Sequence, residues 1–249
     1  MGILISLIAF VFCAVIYVRM LRREVPEPIG KKAAALPVAL GVFAPFLSTG
    51  LVILLSLLLS RLLGVSISGF TSSLLLSSLV SAFIAAGFTE ELVKLLLFLL
   101  TVKLLKPKNV YEYGLLFAGV GVGFTALEEM LYGGGDPVAA LTRLPFFSMH
   151  MVLGLIMGLE LGQARFCRRS STGSAGLHTF RALFLPVLWH TVYDAATTFN
   201  AAIHAEDTAS NMIGAVIGLV VVLISVVLQF VLLIRFRKNA GKYCGMELT

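Results

Sequence analysis

Four stretches of this sequence carry ionisable residues among neighbours that are nearly all apolar. In GFTEELVKLL, Glu90 and Glu91 precede Lys94, and on a helix the i,i+3 and i,i+4 spacings bring that ammonium within reach of either carboxylate. In GVGFTALEEMLY, Glu128 follows Phe124 by about one helical turn, with Glu129 beside it. Gly119, Gly121 and Gly123 come just before, so a second helix could approach closely there. His150 stands in FFSMHMVLGLIMG, and in LPVLWHTVYDAATTF His190 and Asp194 are four apart, hence on one helical face.

Carboxylates and histidines in this number suit hydrolysis. Peptide hydrolysis needs a base to activate water, a group to stabilise the oxyanion and an acid for the leaving amine. Two routes are open. A glutamate whose proton affinity is balanced between burial and a nearby cation can serve as the base without metal. Alternatively, histidines together with a carboxylate could hold Zn²⁺, which polarises a carbonyl and acidifies bound water.

No G-x-S-x-G elbow and no H-E-x-x-H pair is present, which excludes serine and zinc-helix intramembrane proteases of those types. Buried Glu, His and Asp also build proton relays, so an ion-coupled transporter is the alternative, with a non-catalytic binding or immunity protein as a third. The absence of an internal repeat counts against the transporter. Each group also has a structural reading. Lys94 with Glu90 or Glu91 would be an orienting ion pair, His190 with Asp194 an interhelical hydrogen bond, and His150 a packing residue. Glu129 is read as supporting Glu128, and Arg143, Tyr111 and Tyr132 as anchors at span ends. His178 and His204 are expected in solvated loops.

The elements that must position these groups are set by composition. The 249 residues are 59% hydrophobic and 13% charged, with a mean hydropathy of +0.99, more apolar surface than a water-soluble fold can cover. An all-α polytopic membrane bundle is expected, a single integral domain over 1–249 with its motif-bearing core at about 70–201. Eight helical segments are predicted near 3–18, 38–60, 71–86, 88–105, 112–132, 143–164, 180–201 and 211–234. Charged residues inside such spans cost about 2.5–3.5 kcal/mol each on insertion scales, so they mark function and face the interior.

The net charge of +6 lies in clusters between spans and not along one face, which argues for topology and against nucleic acid. Arg19, Arg22, Arg23, Lys31 and Lys32 fill 19–32, three lysines lie in 103–108, four arginines in 165–181, and Arg235, Arg237, Lys238 and Lys242 near the C-terminus. The alternating connections are poor in basic residues: 61–70 has only Arg61, 133–143 sets Asp136 against Arg143, and 202–210 carries Glu206 and Asp207. The pattern predicts an N-out, C-in chain with seven net crossings, in which 71–86 is re-entrant or broken from 88–105 at Gly87. An unbroken helix over 71–105 would run about 50 Å, too long for the bilayer core. The first segment has its arginines behind it, the reverse of a cleavable signal peptide, so a retained helix is expected. Cys13, Cys167 and Cys244 have no spacing that suggests a disulfide or a cysteine-bound metal. In this topology every motif residue lies between the midplane and the outer face.

At these residues the sequence resembles the PrsW family of intramembrane proteases, kin to type II CAAX prenyl proteases and bacteriocin-processing membrane proteases. That family's E-E-x-x-K, F-x-x-x-E and H-x-x-x-D appear in order as Glu90-Glu91-x-x-Lys94, Phe124-x-x-x-Glu128 and His190-x-x-x-Asp194, with His150 on the intervening helix. Glu129 departs from the pattern, which carries asparagine there. The resemblance implies cleavage of a membrane-anchored protein near the extracytoplasmic surface of a bacterial cell membrane, as in the first cut of an anti-sigma factor. It also implies that Glu90 or Glu91 activates water, that Glu128 and His150 complete the water or metal site, and that His190 and Asp194 polarise the carbonyl or bind metal.

Overall fold

The computed structural model describes residues 1–24, 28–64, 71–133 and 137–248. Asp136 and most of the 61–70 connection therefore lie outside the described residues. Among the described residues the chain is helical, with no strand beyond an isolated bridge between Asn109 and Glu247. The helices are α1 (Gly2–Leu21), α2 (Lys31–Leu63), α3 (Leu74–Ala82), α4 (Phe88–Leu105), α5 (Val110–Gly133), α6 (Pro137–Arg143), α7 (Met149–Ser170), α8 (Ala175–Ala196), α9 (Thr208–Lys238) and α10 (Ala240–Cys244). The expected all-α class holds. Five stretches, Gly2–Leu21, Lys31–Leu62, Val110–Tyr132, Leu144–Ser170 and Thr208–Lys238, are long and apolar enough to cross a membrane, and the protein is an integral membrane protein. The other two expected spans, α4 and α8, carry Glu90, Glu91 and Lys94, and His190 and Asp194, which make them more polar.

Three local differences from the sequence reading have physical causes. The expected break at Gly87 is a π turn over Phe83–Gly87, so helical bonding runs on from α3 into α4 without reversing. A π turn admits one extra residue and rotates the next stretch of helix by about 100°. Leading into α7, the chain forms the short helix α6 and a 3-10 turn at Leu144–Phe146, because Pro145 cannot donate within a continuing helix. Helix α8 begins five residues earlier than 180–201 suggested, since Ser174 Oγ accepts from the Leu177 amide and starts it.

The chain divides into two compact units. The first comprises Met1–Pro45, Lys94–Leu185 and Gln229–Thr249, and the second Phe46–Val93 and Pro186–Leu228. In the first, α5 packs on α1 and α7 around Tyr111, Leu115, Val122, Met151 and Leu155. The start of α5 is fixed by Asn109, whose Oδ1 accepts from the Glu112 amide at 2.8 Å, while Glu112 Oε2 accepts from the Lys108 amide at 2.6 Å. In the second, Asn200 Nδ2 donates to the Ala196 and Gly214 carbonyls, each at 2.9 Å, tying the end of α8 to α9. Trp189 Nε1 donates to Ser225 Oγ at 3.0 Å along the same pair.

Candidate active site

The sequence-predicted residues gather in two clusters, one within each unit. In the first, Glu128 on α5 takes His150 Nε2 on one carboxylate oxygen and Arg143 at 3.1 Å on the other. Arg143 also binds Glu129 Oε1 through Nε and a terminal nitrogen, both at 3.1 Å, and lies 4.9 Å from the centre of the Tyr132 ring. On its far side, His150 Nδ1 is 3.1 Å from Lys94 Nζ. Phe124 completes the group, its ring centre 4.5 Å from that of His150 and 4.1 Å from Lys94 Nζ. An ammonium only donates, so a charged Lys94 makes Nδ1 the acceptor, and His150 then gives its Nε2 proton to Glu128.

Close backbone packing places this pair. A Cβ on Gly121 would collide with the His150 carbonyl, so α5 and α7 can touch there only with glycine at that position. The expectation drawn from Gly119, Gly121 and Gly123 is met at all three, since a Cβ on Gly123 would collide with the Val38 carbonyl of α2 and one on Gly119 with the Tyr17 hydroxyl of α1.

In the second unit, the π turn delivers Glu90 and Glu91 at the head of α4 facing the His190 end of α8. Gly87, the last residue of that turn, leaves no room for a Cβ beside Thr191. Glu91 is fully buried, and its Oε1 lies 2.8 Å from His190 Nδ1. The opposite nitrogen, Nε2, has Asp194 Oδ2 at 3.2 Å and Glu90 Oε2 at 3.7 Å. Asp194 is steadied by Thr198 Oγ1 at 3.4 Å, one turn on.

Charge balance dictates what this second cluster can hold. With Nδ1–H donated to Glu91, a neutral His190 would aim its Nε2 lone pair at two carboxylates, which is repulsive unless a cation intervenes. That cation is a proton on Nε2 or a metal ion. Donor pairs around a tetrahedral divalent metal with bonds near 2.0–2.1 Å are about 3.4 Å apart, and the 3.2 and 3.7 Å separations bracket that spacing. A carboxylate on the remote ring nitrogen is also the arrangement that orients metal-binding histidines. The donor set therefore fits a metal.

Two residues have surroundings other than those the sequence suggested. Arg143, read as a boundary anchor, is the counter-charge of Glu128 and Glu129. Its signal was faint: one basic residue in an otherwise acid-leaning connection. His178, expected in a solvated loop, lies on α8 with its Nδ1 2.6 Å from Glu160 Oε2, because the helix starts earlier than predicted. Lys94 also stands against His150 and Phe124, contacts that helical spacing alone does not indicate.

A family model described as PrsW family intramembrane metalloprotease matches residues 36–234. Over 122 residues the chain is 34% identical to Protease PrsW of Halalkalibacterium halodurans, covering 47% of this chain and 54% of that protein. It is 32% identical over 120 residues to Protease PrsW of Bacillus subtilis, with the same coverage of 47% and 54%. The chain thus spans about half the length of the curated relatives it matches. No solved structure matches it.

Proposed function

The chain belongs to the PrsW family of intramembrane metalloproteases, and on that premise we propose that it is an endopeptidase cutting a membrane-anchored protein near its extracytoplasmic side. The observation that carries this reading is His190, held by Glu91 on one nitrogen and turned toward Glu90 and Asp194 with the other. Such an imidazole is oriented for work on whatever lies between it and those carboxylates. The two glutamates then divide the labour. Glu91, fully buried and committed to Nδ1, keeps the ring in one tautomer, while Glu90, more accessible, takes the proton of the attacking water. A metal at this cluster would be held by His190 Nε2 with Glu90 or Asp194, and would supply a Lewis acid for the scissile carbonyl and its water.

Glu128 and His150 enter the same reaction on the strength of motif order in the sequence. The Lys94–His150–Glu128–Arg143 chain keeps a carboxylate and an imidazole hydrogen-bonded between two cations, able to pass a proton to a leaving amine. The substrate class that the resemblance implies is a single-pass anti-sigma factor.

The test is co-expression in bacteria with tagged single-pass candidate substrates, comparing wild type with Glu90→Gln and Glu128→Gln. Loss of the cleaved fragment with both variants is expected, and full cleavage by Glu90→Gln would refute the reading. Zinc measured on detergent-purified protein, with His190→Ala and His150→Ala as separate arms, tests the metal. Undiminished zinc in His190→Ala would remove it from the ligand set.

A further inference from the structure

A cavity of about 670 Å³ opens within the first unit beside the C-terminal ends of α1 and α9. Four of its lining residues are arginines: Arg19, Arg22 and Arg23 from the end of α1, and Arg237 from α9. All four are exposed, and among the described residues no salt bridge engages them. The rest of the lining is apolar, notably Ile16, Leu233 and Ile234. At its floor the Tyr111 ring stacks on Phe236 with centres 4.6 Å apart, and its hydroxyl donates to the Met20 carbonyl at 2.7 Å.

Basic residues at these helix ends serve topology, but topology requires only charge near the cytoplasmic surface. It needs neither a concavity nor a particular basic side chain. Here every basic residue of the lining is arginine, whereas the neighbouring Lys31, Lys32 and Lys238 take no part. Guanidinium is the group whose planar fork matches phosphate oxygens in pairs. Pockets of this volume hold drug-sized molecules, and a basic pocket between membrane helices on the cytoplasmic side suits an anionic headgroup.

We propose that this cavity binds an anionic phospholipid, its phosphate held by the arginines and its upper acyl chains lying along Ile16, Leu233 and Ile234. The remaining hydrocarbon continues into the bilayer along the exposed apolar faces of α1 and α9. The occupant is amphipathic because the lining is: charge alone would accept any soluble anion, and the apolar wall alone any lipid.

The experiment uses the full chain purified in detergent, with thermal unfolding and native mass spectrometry read after adding phosphatidylglycerol, phosphatidylcholine or inorganic phosphate. Phosphatidylglycerol is expected to raise the unfolding temperature and to remain bound at one molecule per chain, the other two having no such effect. The double variant Arg22→Gln/Arg237→Gln should weaken phosphatidylglycerol binding about 30-fold, at the usual value of a basic residue beside an anionic lipid. Ile234→Trp, at an exposed position, keeps every charge but fills the apolar wall, and should weaken binding even if the double variant folds poorly. Equal stabilisation by phosphatidylcholine overturns the proposal, as does equal stabilisation by phosphate, which would mark a soluble-anion site. Wild-type phosphatidylglycerol binding by Ile234→Trp overturns it too.

Discussion

Glu90 and Glu91 are adjacent, carry the same functional group and stand before the same imidazole, yet the geometry gives them separable effects. Glu91→Gln leaves an acceptor 2.8 Å from His190 Nδ1 but replaces a charge-assisted hydrogen bond with a neutral one. Such a change forfeits about 1–1.5 kcal/mol of a bond otherwise worth about 1.5–3 kcal/mol. At 1.36 kcal/mol per factor of ten, the expected loss is about 10-fold in rate, within the usual 10–100-fold for removing a carboxylate behind a metal-binding histidine. Glu90→Gln removes the proposed base itself, whose contribution is typically 10²–10⁴-fold. The assay is a time course of fragment release from a tagged single-pass substrate in proteoliposomes, with zinc content and unfolding temperature of each variant measured in parallel. Glu90→Gln should be slower than Glu91→Gln by at least tenfold while keeping the wild-type unfolding temperature. The assignment fails if Glu91→Gln, folded and with wild-type zinc, is the slower of the two.

Arg143→Gln removes the guanidinium shared by Glu128 and Glu129 and should lower stability by about 1–3 kcal/mol, read as a drop in unfolding temperature that Arg143→Lys partly restores. Gly121→Ala drives a methyl into the His150 carbonyl and should cost about 1–3 kcal/mol of stability and reduce cleavage, whereas Gly50→Ala, where nothing lies nearby, should leave both unchanged. Outside the spans, burial and then a hydrogen bond with the neighbouring Glu112 carboxyl push Glu24 up from 4.5 to about 7. The folded chain thus keeps this proton to higher pH than the unfolded one, so the stability it confers is complete below about pH 4.5 and is lost as pH rises through 7. Unfolding temperature should therefore fall between pH 5 and pH 8 by more in wild type than in Glu24→Gln, and identical slopes would refute the assignment.

Much of the candidate site could be read from the sequence because a membrane makes charge informative. A carboxylate or histidine amid apolar residues stands out wherever it falls, and helical spacing says which neighbours share its face. Glu90, Glu91, Glu128, His150, His190 and Asp194 were singled out as candidates on those grounds, and the close approach at Gly121 was foreseen from its glycines. Arg143 was not, since its partners are 14 and 15 residues away and only the packing of α6 against α5 brings it back to them. His178 was misplaced for a related reason: a helix start depends on a single capping hydroxyl, which hydropathy does not register.

By itself, then, the sequence determined that this is an all-α membrane protein, which residues interrupt its apolar segments, and their order along the chain. Those properties come from composition and from the local 3.6-residue repeat. Only the tertiary structure decided which nitrogen of each imidazole faces which charge: Lys94 and Glu128 about His150, and Glu91, Glu90 and Asp194 about His190. Those partners lie up to 100 residues apart, from Glu90 to His190, and their orientation depends on where a π turn shifts the register and on where two backbones have room to touch. A helical repeat fixes which face a residue occupies, but what lies across from that face is fixed by packing.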